Sequence, residues 1–197
     1  MLTHKVIKIL LLFLVLGFGR SYAPNLWSDY SYQDIQNRLE KLYLTDQEIL
    51  YQENLKNFKS ALAARESSNN WREYNPYGYI GKFQFGKAAL EVTGFGHVDF
   101  VDFMNNPSVF PENDQEKAMD SLLHFNEFLL KSYIDKFDGA YLMDSVKITK
   151  TGLLAAAHLA GPGNVKRFLE TEGKYNPRDK MGTSLSDYLT TFGAQFY

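Results

Sequence analysis

"ARESSNNWREYNPYGYIGKFQFG", residues 64–86, joins the end of an apolar helical pattern to a loop rich in tyrosine and glycine. Glu66 continues the apolar face marked by Phe58 and Leu62, because residues four apart share one side of a helix. The polar side chains at 67–70 compete for backbone hydrogen bonds and are expected to end the helix. The stretch therefore places a carboxyl group on the buried side of a helix, at its last turn.

The surroundings predicted for Glu66 disfavour its charged form. An apolar face removes water from the carboxylate, and the C-terminal end of a helix carries partial negative charge. A carboxyl group that keeps its proton can protonate a glycosidic oxygen, which is otherwise a poor leaving group. The alternative is a frayed last turn that leaves Glu66 in solvent.

The loop that follows Glu66 offers side chains suited to a sugar. Tyr79, Phe83 and Phe85 can pack against sugar faces, and the amide of Gln84 can donate to and accept from hydroxyl or acetamido groups. A two-carboxylate glycosidase needs a second acid, and the spacing singles out none of the candidates Glu73, Glu91 and Asp99. One acid suffices if the acetamido group of the substrate is the nucleophile.

The periodicity of apolar residues predicts helices through most of the chain. Thr45 and Glu48 form a capping-box pattern, which predicts that a second helix begins there. Between residues 73 and 86 the turn residues and the alternating pattern predict a loop or a short hairpin. Further helices are expected at 86–94, 148–160, 164–170 and 184–192.

A long amphipathic helix is expected after Pro111, with one apolar face formed by Ala118, Leu122, Phe125 and Leu129. No repeat, low-complexity tract or linker divides the chain. The predicted fold class is therefore all-α, mostly helical with a possible small hairpin, in a single domain over residues 24–197.

Residues 1–23 have the features of a signal peptide. "MLTHKVIK" is basic, and "ILLLFLVLGF" has about the length of a signal-peptide core but is short for a membrane span. Ala23 supplies a small residue for cleavage, and an uncleaved N-terminal anchor is the alternative. The predicted location is therefore periplasmic or secreted.

Composition excludes several classes of protein. The chain has no cysteine, which excludes a lipoprotein attachment and a disulfide-stapled fold. It has 23 acidic and 21 basic residues without a basic run, which argues against nucleic acid as a partner. The histidines lack zinc-ligand spacing and no cysteine is present to assist them, so no metal site is expected.

Three short motifs follow one another along the chain: "ES" at 66–67, "GKFQ" at 81–84 and "AHLAGPG" at 157–163. In this order they resemble the Glu-Ser, Gly-Leu-Met-Gln and Ala-Tyr-Asn-Ala-Gly-Pro-Gly motifs of the soluble lytic transglycosylases and goose-type lysozymes. These lysozyme-like enzymes cut the glycan strands of peptidoglycan. The resemblance covers roughly residues 50–195.

The resemblance implies a lysozyme-like fold and cleavage of the β-1,4 bond between N-acetylmuramic acid and N-acetylglucosamine, with anhydro-muramyl products. It makes Glu66 the general acid and base and implies no cofactor. The expected partners are peptidoglycan glycan strands, with cell-envelope machinery as a further candidate, and the protein is expected to be a monomer. The substrate-binding residues predicted from the loop and the resemblance are Ser67, Tyr79, Phe83, Gln84 and His158.

The third motif departs from the family pattern. His158 stands where the family has tyrosine, and Leu159 stands where it has asparagine. The tyrosine position helps to set the acid and the sugar, and a histidine can still donate a hydrogen bond. Two alternatives therefore stand beside the transglycosylase: a hydrolytic lysozyme on the same fold, and a non-catalytic protein that binds peptidoglycan. The sequence also leaves open end-wise or internal cutting.

Overall fold

The structure, a computed structural model, describes residues 32–143 and 145–193, and the predicted signal peptide at 1–23 lies outside them. The described chain is mostly helical, which confirms the all-α prediction. Its helices are α1 Tyr32–Ser67, α2 Lys87–Val92, α3 Phe100–Asn105, α4 Glu112–Phe137, α5 Lys150–Ala160, α6 Pro162–Glu170 and α7 Leu185–Gly193. Within the described ranges no helix has the length and apolar character that a membrane span requires.

Helix α1 continues through the point where a second helix is predicted to begin. Thr45 lies inside it, and the Thr45 hydroxyl donates to the carbonyl oxygen of Lys41 at 2.8 Å. A threonine that bonds back to the carbonyl four residues earlier belongs to a helix interior rather than to a cap. The capping-box prediction for Thr45 and Glu48 is therefore wrong.

The chain divides into two units, residues 1–52 and 53–197. In the first unit several apolar side chains of α1 are exposed, among them Leu42, Leu44, Ile49 and Leu50. In the second unit α1 buries Phe58 and Leu62 on the predicted face. The hydrophobic core described below belongs to this second unit.

Helix α5 lies at the centre of the second unit and packs against α4, α6 and α7. It is rich in small residues, and the alanines at 155–157 are buried. A side chain at Gly152 would place its Cβ 3.0 Å from the carbonyl oxygen of Leu189. The absence of that side chain lets α7 approach closely, which brings Tyr188 of α7 to the end of α1.

The regular two-stranded sheet does not lie where the hairpin is predicted. Strands β1 (Tyr141–Leu142) and β2 (Val146–Lys147) pair antiparallel between α4 and α5. The predicted hairpin region holds only isolated bridges, between Tyr74 and Ile80 and between Ile80 and Phe85. Positive φ angles at Gly81 (80°) and Gln84 (52°) curl the chain there into tight turns instead of extended strands.

Candidate functional site

A groove of about 390 Å³ runs beside the last turn of α1. Its walls come from that turn, the loop at 73–84, the end of α5 and the loop at 179–181. Five of the six predicted site residues line it: Glu66, Ser67, Tyr79, Gln84 and His158. The structure thus brings parts of all three sequence motifs to one cleft, although they are far apart along the chain.

Glu66 is half-buried in this groove and accepts a hydrogen bond from the phenol of Tyr188, with 2.5 Å between Oη and Oε1. Burial, the negative charge of Glu66 and this hydrogen bond raise the pKa of Tyr188 far above its usual value, against an opposing effect of Arg65. The phenol therefore keeps its proton and acts as a hydrogen-bond donor. It fixes the orientation of the Glu66 carboxyl group. Among the described residues, no side chain hydrogen-bonds Oε2.

Tyr188 is a site residue that the sequence did not single out. Its ring is buried, on the same face of α7 as Leu185, Leu189 and Phe192. This spacing was a usable signal, because a buried tyrosine on an apolar face needs a hydrogen-bond partner for its hydroxyl. The identity of that partner could not be predicted, since Glu66 lies 122 residues earlier in the chain.

Two motif residues hold successive carbonyl groups of the loop rather than pointing freely into the groove. The hydroxyl of Ser67 donates to the carbonyl oxygen of Lys82 at 2.7 Å. Nε2 of His158 donates to the carbonyl oxygen of Phe83 at 2.8 Å. The end of α1 and the end of α5 are therefore joined through the backbone of one loop. Ser67 and His158 position the groove wall by these contacts.

The Gln84 amide is also engaged within the protein. Its Nε2 donates to the carbonyl oxygen of Gly81 at 3.0 Å, and its Oε1 accepts from Nδ2 of Asn75 at 2.8 Å. Oδ1 of Asn75 in turn accepts from the backbone N–H of Tyr77 at 2.9 Å. Gln84 adopts a positive φ of 52°, which is uncommon outside glycine and often marks a functional turn. The pair stabilises the turn that presents the tyrosines.

Phe83 does not line the groove, and the expectation that its ring packs against a sugar is wrong. The side chain is fully buried, as is that of Phe85, which lies edge-on to it with 5.9 Å between ring centroids. The positive φ values at Gly81 and Gln84 turn both rings into the core. Phe83 contributes to the site through its carbonyl group, which His158 binds.

Exposed aromatic surface in the groove comes from Tyr77 and Tyr79, whose side chains are 49% and 40% exposed. Tyrosine rings at such positions suit the apolar faces of sugars and carry a hydroxyl for hydrogen bonding. Nζ of Lys180 lies 4.6 Å from the ring centroid of Tyr77, so the opposite loop contacts the same wall. Tyr77 and Lys180 therefore line the same part of the cleft.

A buried amide holds the loop from beneath. Gln115 of α4 is fully buried, and its Oε1 accepts from the backbone N–H of Lys82 at 2.6 Å. Its Nε2 donates to the carbonyl oxygens of Trp71 (2.8 Å) and Phe110 (2.7 Å). A Cβ at Gly81 would lie only 2.5 Å from Oε1 of Gln115, so only glycine fits there.

The charge of Lys82 adds a further anchor. Glu116 accepts from Nζ of Lys82 at 2.8 Å and from Nζ of Lys59 at 3.0 Å, linking the loop to α1 through α4. Burial opposes the charge of Glu116, but the hydrogen bonds from both lysines outweigh it and lower the pKa of this carboxyl group. The network fixes the outer side of the loop.

Of the candidate second acids, only Glu73 lines the groove. It is half-buried, and its Oε2 accepts from Nδ2 of Asn70 at 2.9 Å. Glu91 lies outside the groove, and Asp99 caps α3 by accepting from the backbone N–H of Val101 at 2.7 Å. Asp179 also lines the groove, where its Oδ1 accepts backbone N–H groups of its own loop.

The part of the chain that the structure describes has no cluster of three or more histidine or acidic side chains placed to hold a metal ion. The comparisons with known proteins add no relative. No family model matches the chain, and no curated protein and no solved structure matches it. The function of this chain is therefore inferred from the groove, the chemistry of its residues and the three sequence motifs.

Proposed function

We propose that this protein is an exported lytic transglycosylase-like enzyme with a lysozyme-like fold, which cleaves the glycan strands of peptidoglycan. The observation that carries the proposal is the carboxyl group of Glu66, half-buried in a groove and oriented by the phenol of Tyr188. Exposed tyrosine rings beside it suit the sugars of a glycan. The resemblance of the three motifs supports the same assignment.

In the proposed reaction Glu66 acts first as an acid and then as a base. It donates its proton to the glycosidic oxygen as the bond to the anomeric carbon of N-acetylmuramic acid breaks, through an oxocarbenium-like transition state. The 6-hydroxyl group of the same sugar then bonds to the anomeric carbon and returns its proton to Glu66. The products are an anhydro-muramyl end and a free 4-hydroxyl group, and the enzyme is regenerated.

The contacts of His158 favour an enzyme over a protein that only binds peptidoglycan. The non-catalytic alternative was motivated by histidine at the usual tyrosine position. In this chain Tyr188 supplies a phenol to Glu66 from another helix, and His158 supports the loop wall instead. The replacement in the third motif therefore leaves the candidate acid with a tyrosine partner.

A digestion experiment tests the proposal. Purified peptidoglycan is incubated with the protein, and the soluble products are identified by mass spectrometry. Anhydro-muramyl products are expected, and Glu66→Gln should lower their release at least about 100-fold, since removing a general acid typically has this effect. Glu91→Gln, on an exposed carboxylate outside the groove, is the matched control. Undiminished release by Glu66→Gln would refute the proposal.

A Glu73→Gln variant distinguishes hydrolysis from formation of the anhydro ring. If the unmutated protein releases products with reducing muramic ends and Glu73→Gln does not, the protein is a hydrolytic lysozyme that uses a second carboxylate to activate water. Under the transglycosylase proposal the products stay anhydro-muramyl in this variant, because the attacking hydroxyl belongs to the sugar. Binding of peptidoglycan without any soluble product would instead support the non-catalytic alternative.

A further inference from the structure

A second pocket, with a volume of about 690 Å³, adjoins the groove. Tyr77 and Tyr79 line both, so one pair of aromatic residues forms a shared wall. The remaining walls come from α2, α4 and the junction of α5 with α6. Its volume lies within the range of about 300–1,000 Å³ that is typical of small-molecule sites. A ligand that extends beyond the groove past these tyrosines would enter it.

The pocket is lined mainly by apolar side chains. Small residues such as Ala89 and Ala157 leave room, and Leu122 with the partly exposed ring of Phe125 supplies apolar surface. Such a lining favours a methyl group or the face of a sugar ring over a charged group.

One polar side chain of this lining is buried with an amide nitrogen that has no partner among the described residues. Asn126 is 1% exposed, and its Nδ2 has no hydrogen-bond partner within the described part of the chain. It stands in the buried face of α4 between Leu122 and Leu130, where an apolar residue would avoid the cost of burying an unpaired amide. Rotating the amide exchanges its oxygen and nitrogen, so it can offer either a donor or an acceptor.

We propose that this pocket binds the acetamido group of an N-acetylated sugar at a position of the glycan strand beyond the scissile bond. The methyl of an acetamido group matches the alanine and leucine surface, and its carbonyl and N–H groups match the unpaired amide of Asn126. The glycan strand passes from the groove to the pocket along the exposed rings of Tyr77 and Tyr79. The inference rests on the proposed function and makes strand recognition depend on N-acetylation.

Nuclear magnetic resonance tests the contact directly on the unmutated protein. The side-chain amide resonances of Asn126, assigned by their absence from the spectrum of Asn126→Leu, should shift on titration with N-acetylglucosamine and stay in place with glucosamine. No shift, or equal shifts with both sugars, would overturn the inference. A shift produced only by the dipeptide L-alanyl-D-isoglutamine would also overturn it and assign the pocket to the stem peptide.

An affinity measurement tests the consequence for a longer strand. In a Glu66→Gln background, which removes the candidate acid, Asn126→Leu should weaken binding of chitohexaose about tenfold, the usual effect of one lost hydrogen bond. Asn113→Leu replaces an exposed amide on the same helix and should leave the affinity unchanged. Equal affinity for the Asn126 and Asn113 variants would contradict the inference.

The outcomes separate this inference from the proposed function. If the Asn126 resonances do not respond to N-acetylglucosamine while glycan release still depends on Glu66, only the acetamido pocket is refuted. If these resonances respond specifically to N-acetylglucosamine but the protein releases no glycan, only the proposed enzymatic activity is refuted.

Discussion

Helix α4 buries two amide side chains, Gln115 and Asn126, about three turns apart. Gln115 makes three hydrogen bonds to backbone groups and holds the loop beneath the groove. Asn126 lies against a pocket, and its Nδ2 has no partner within the described residues. The first amide therefore stabilises the fold, whereas the second costs stability and gains a use only with a ligand.

The largest effect on stability is expected from Gln115→Leu. This change leaves the N–H group of Lys82 and the carbonyls of Trp71 and Phe110 without their partner. Each buried polar group left unpaired costs roughly 1–3 kcal/mol, so the free energy of unfolding should fall by about 3 kcal/mol or more. Urea unfolding measures it, with Asn113→Leu as the exposed control. A loss under about 1 kcal/mol would mean that Gln115 does not hold the loop.

His158 should show a smaller effect that a second variant can reverse. His158→Leu leaves the carbonyl oxygen of Phe83 without its donor and should cost about 1–2 kcal/mol of stability together with activity. His158→Gln keeps a donor near the position of Nε2 and should restore much of both. Unfolding curves and glycan release for the two variants give the comparison. Equal loss in both would show that the imidazole has another role.

The sequence predicted the parts of this site that follow from local pattern. The apolar spacing from Phe58 to Leu62 placed Glu66 on the buried side at the end of α1, and the structure has it there. The motif order selected segments that do meet in one groove. Tyr79 lines the groove as predicted, but the rings of Phe83 and Phe85 were placed wrongly, because backbone torsions at Gly81 and Gln84 decide where they point.

Contacts between distant segments were beyond local pattern. Tyr188 meets Glu66 from α7, whose close packing against α5 the glycine at 152 permits. On α4, the expected apolar face included Phe125, which is 37% exposed, while Asn126 beside it is buried. The apolar periodicity cannot tell which of two neighbouring positions at the edge of a helix face is buried. Here the buried position holds the polar side chain of Asn126, and this side chain marks the pocket.

The ion-pair network around Glu116 should give a still smaller, pH-dependent effect. Because the pKa of Glu116 is lowered in the folded protein, its stabilisation is present above the ordinary value of 4.5 and is lost as the pH falls through the folded-state value. Glu116→Gln should therefore cost about 1 kcal/mol at pH 7 and less near pH 3, a modest size because the pairs are partly solvated. Urea unfolding of both proteins at the two pH values measures the difference. A difference that does not change with pH would exclude this carboxylate as its source.

Asn126→Leu should have the smallest effect on the free protein, with the opposite sign to Gln115→Leu. The leucine removes an unpaired buried amide and fits an apolar surface, so the free energy of unfolding should stay unchanged or rise by up to about 1 kcal/mol. Urea unfolding without ligand measures this, and the same measurement with N-acetylglucosamine should stabilise only the protein that keeps Asn126. A loss of stability comparable to that of Gln115→Leu would show that Asn126 already has a structural partner. Its burial would then need no ligand to explain it.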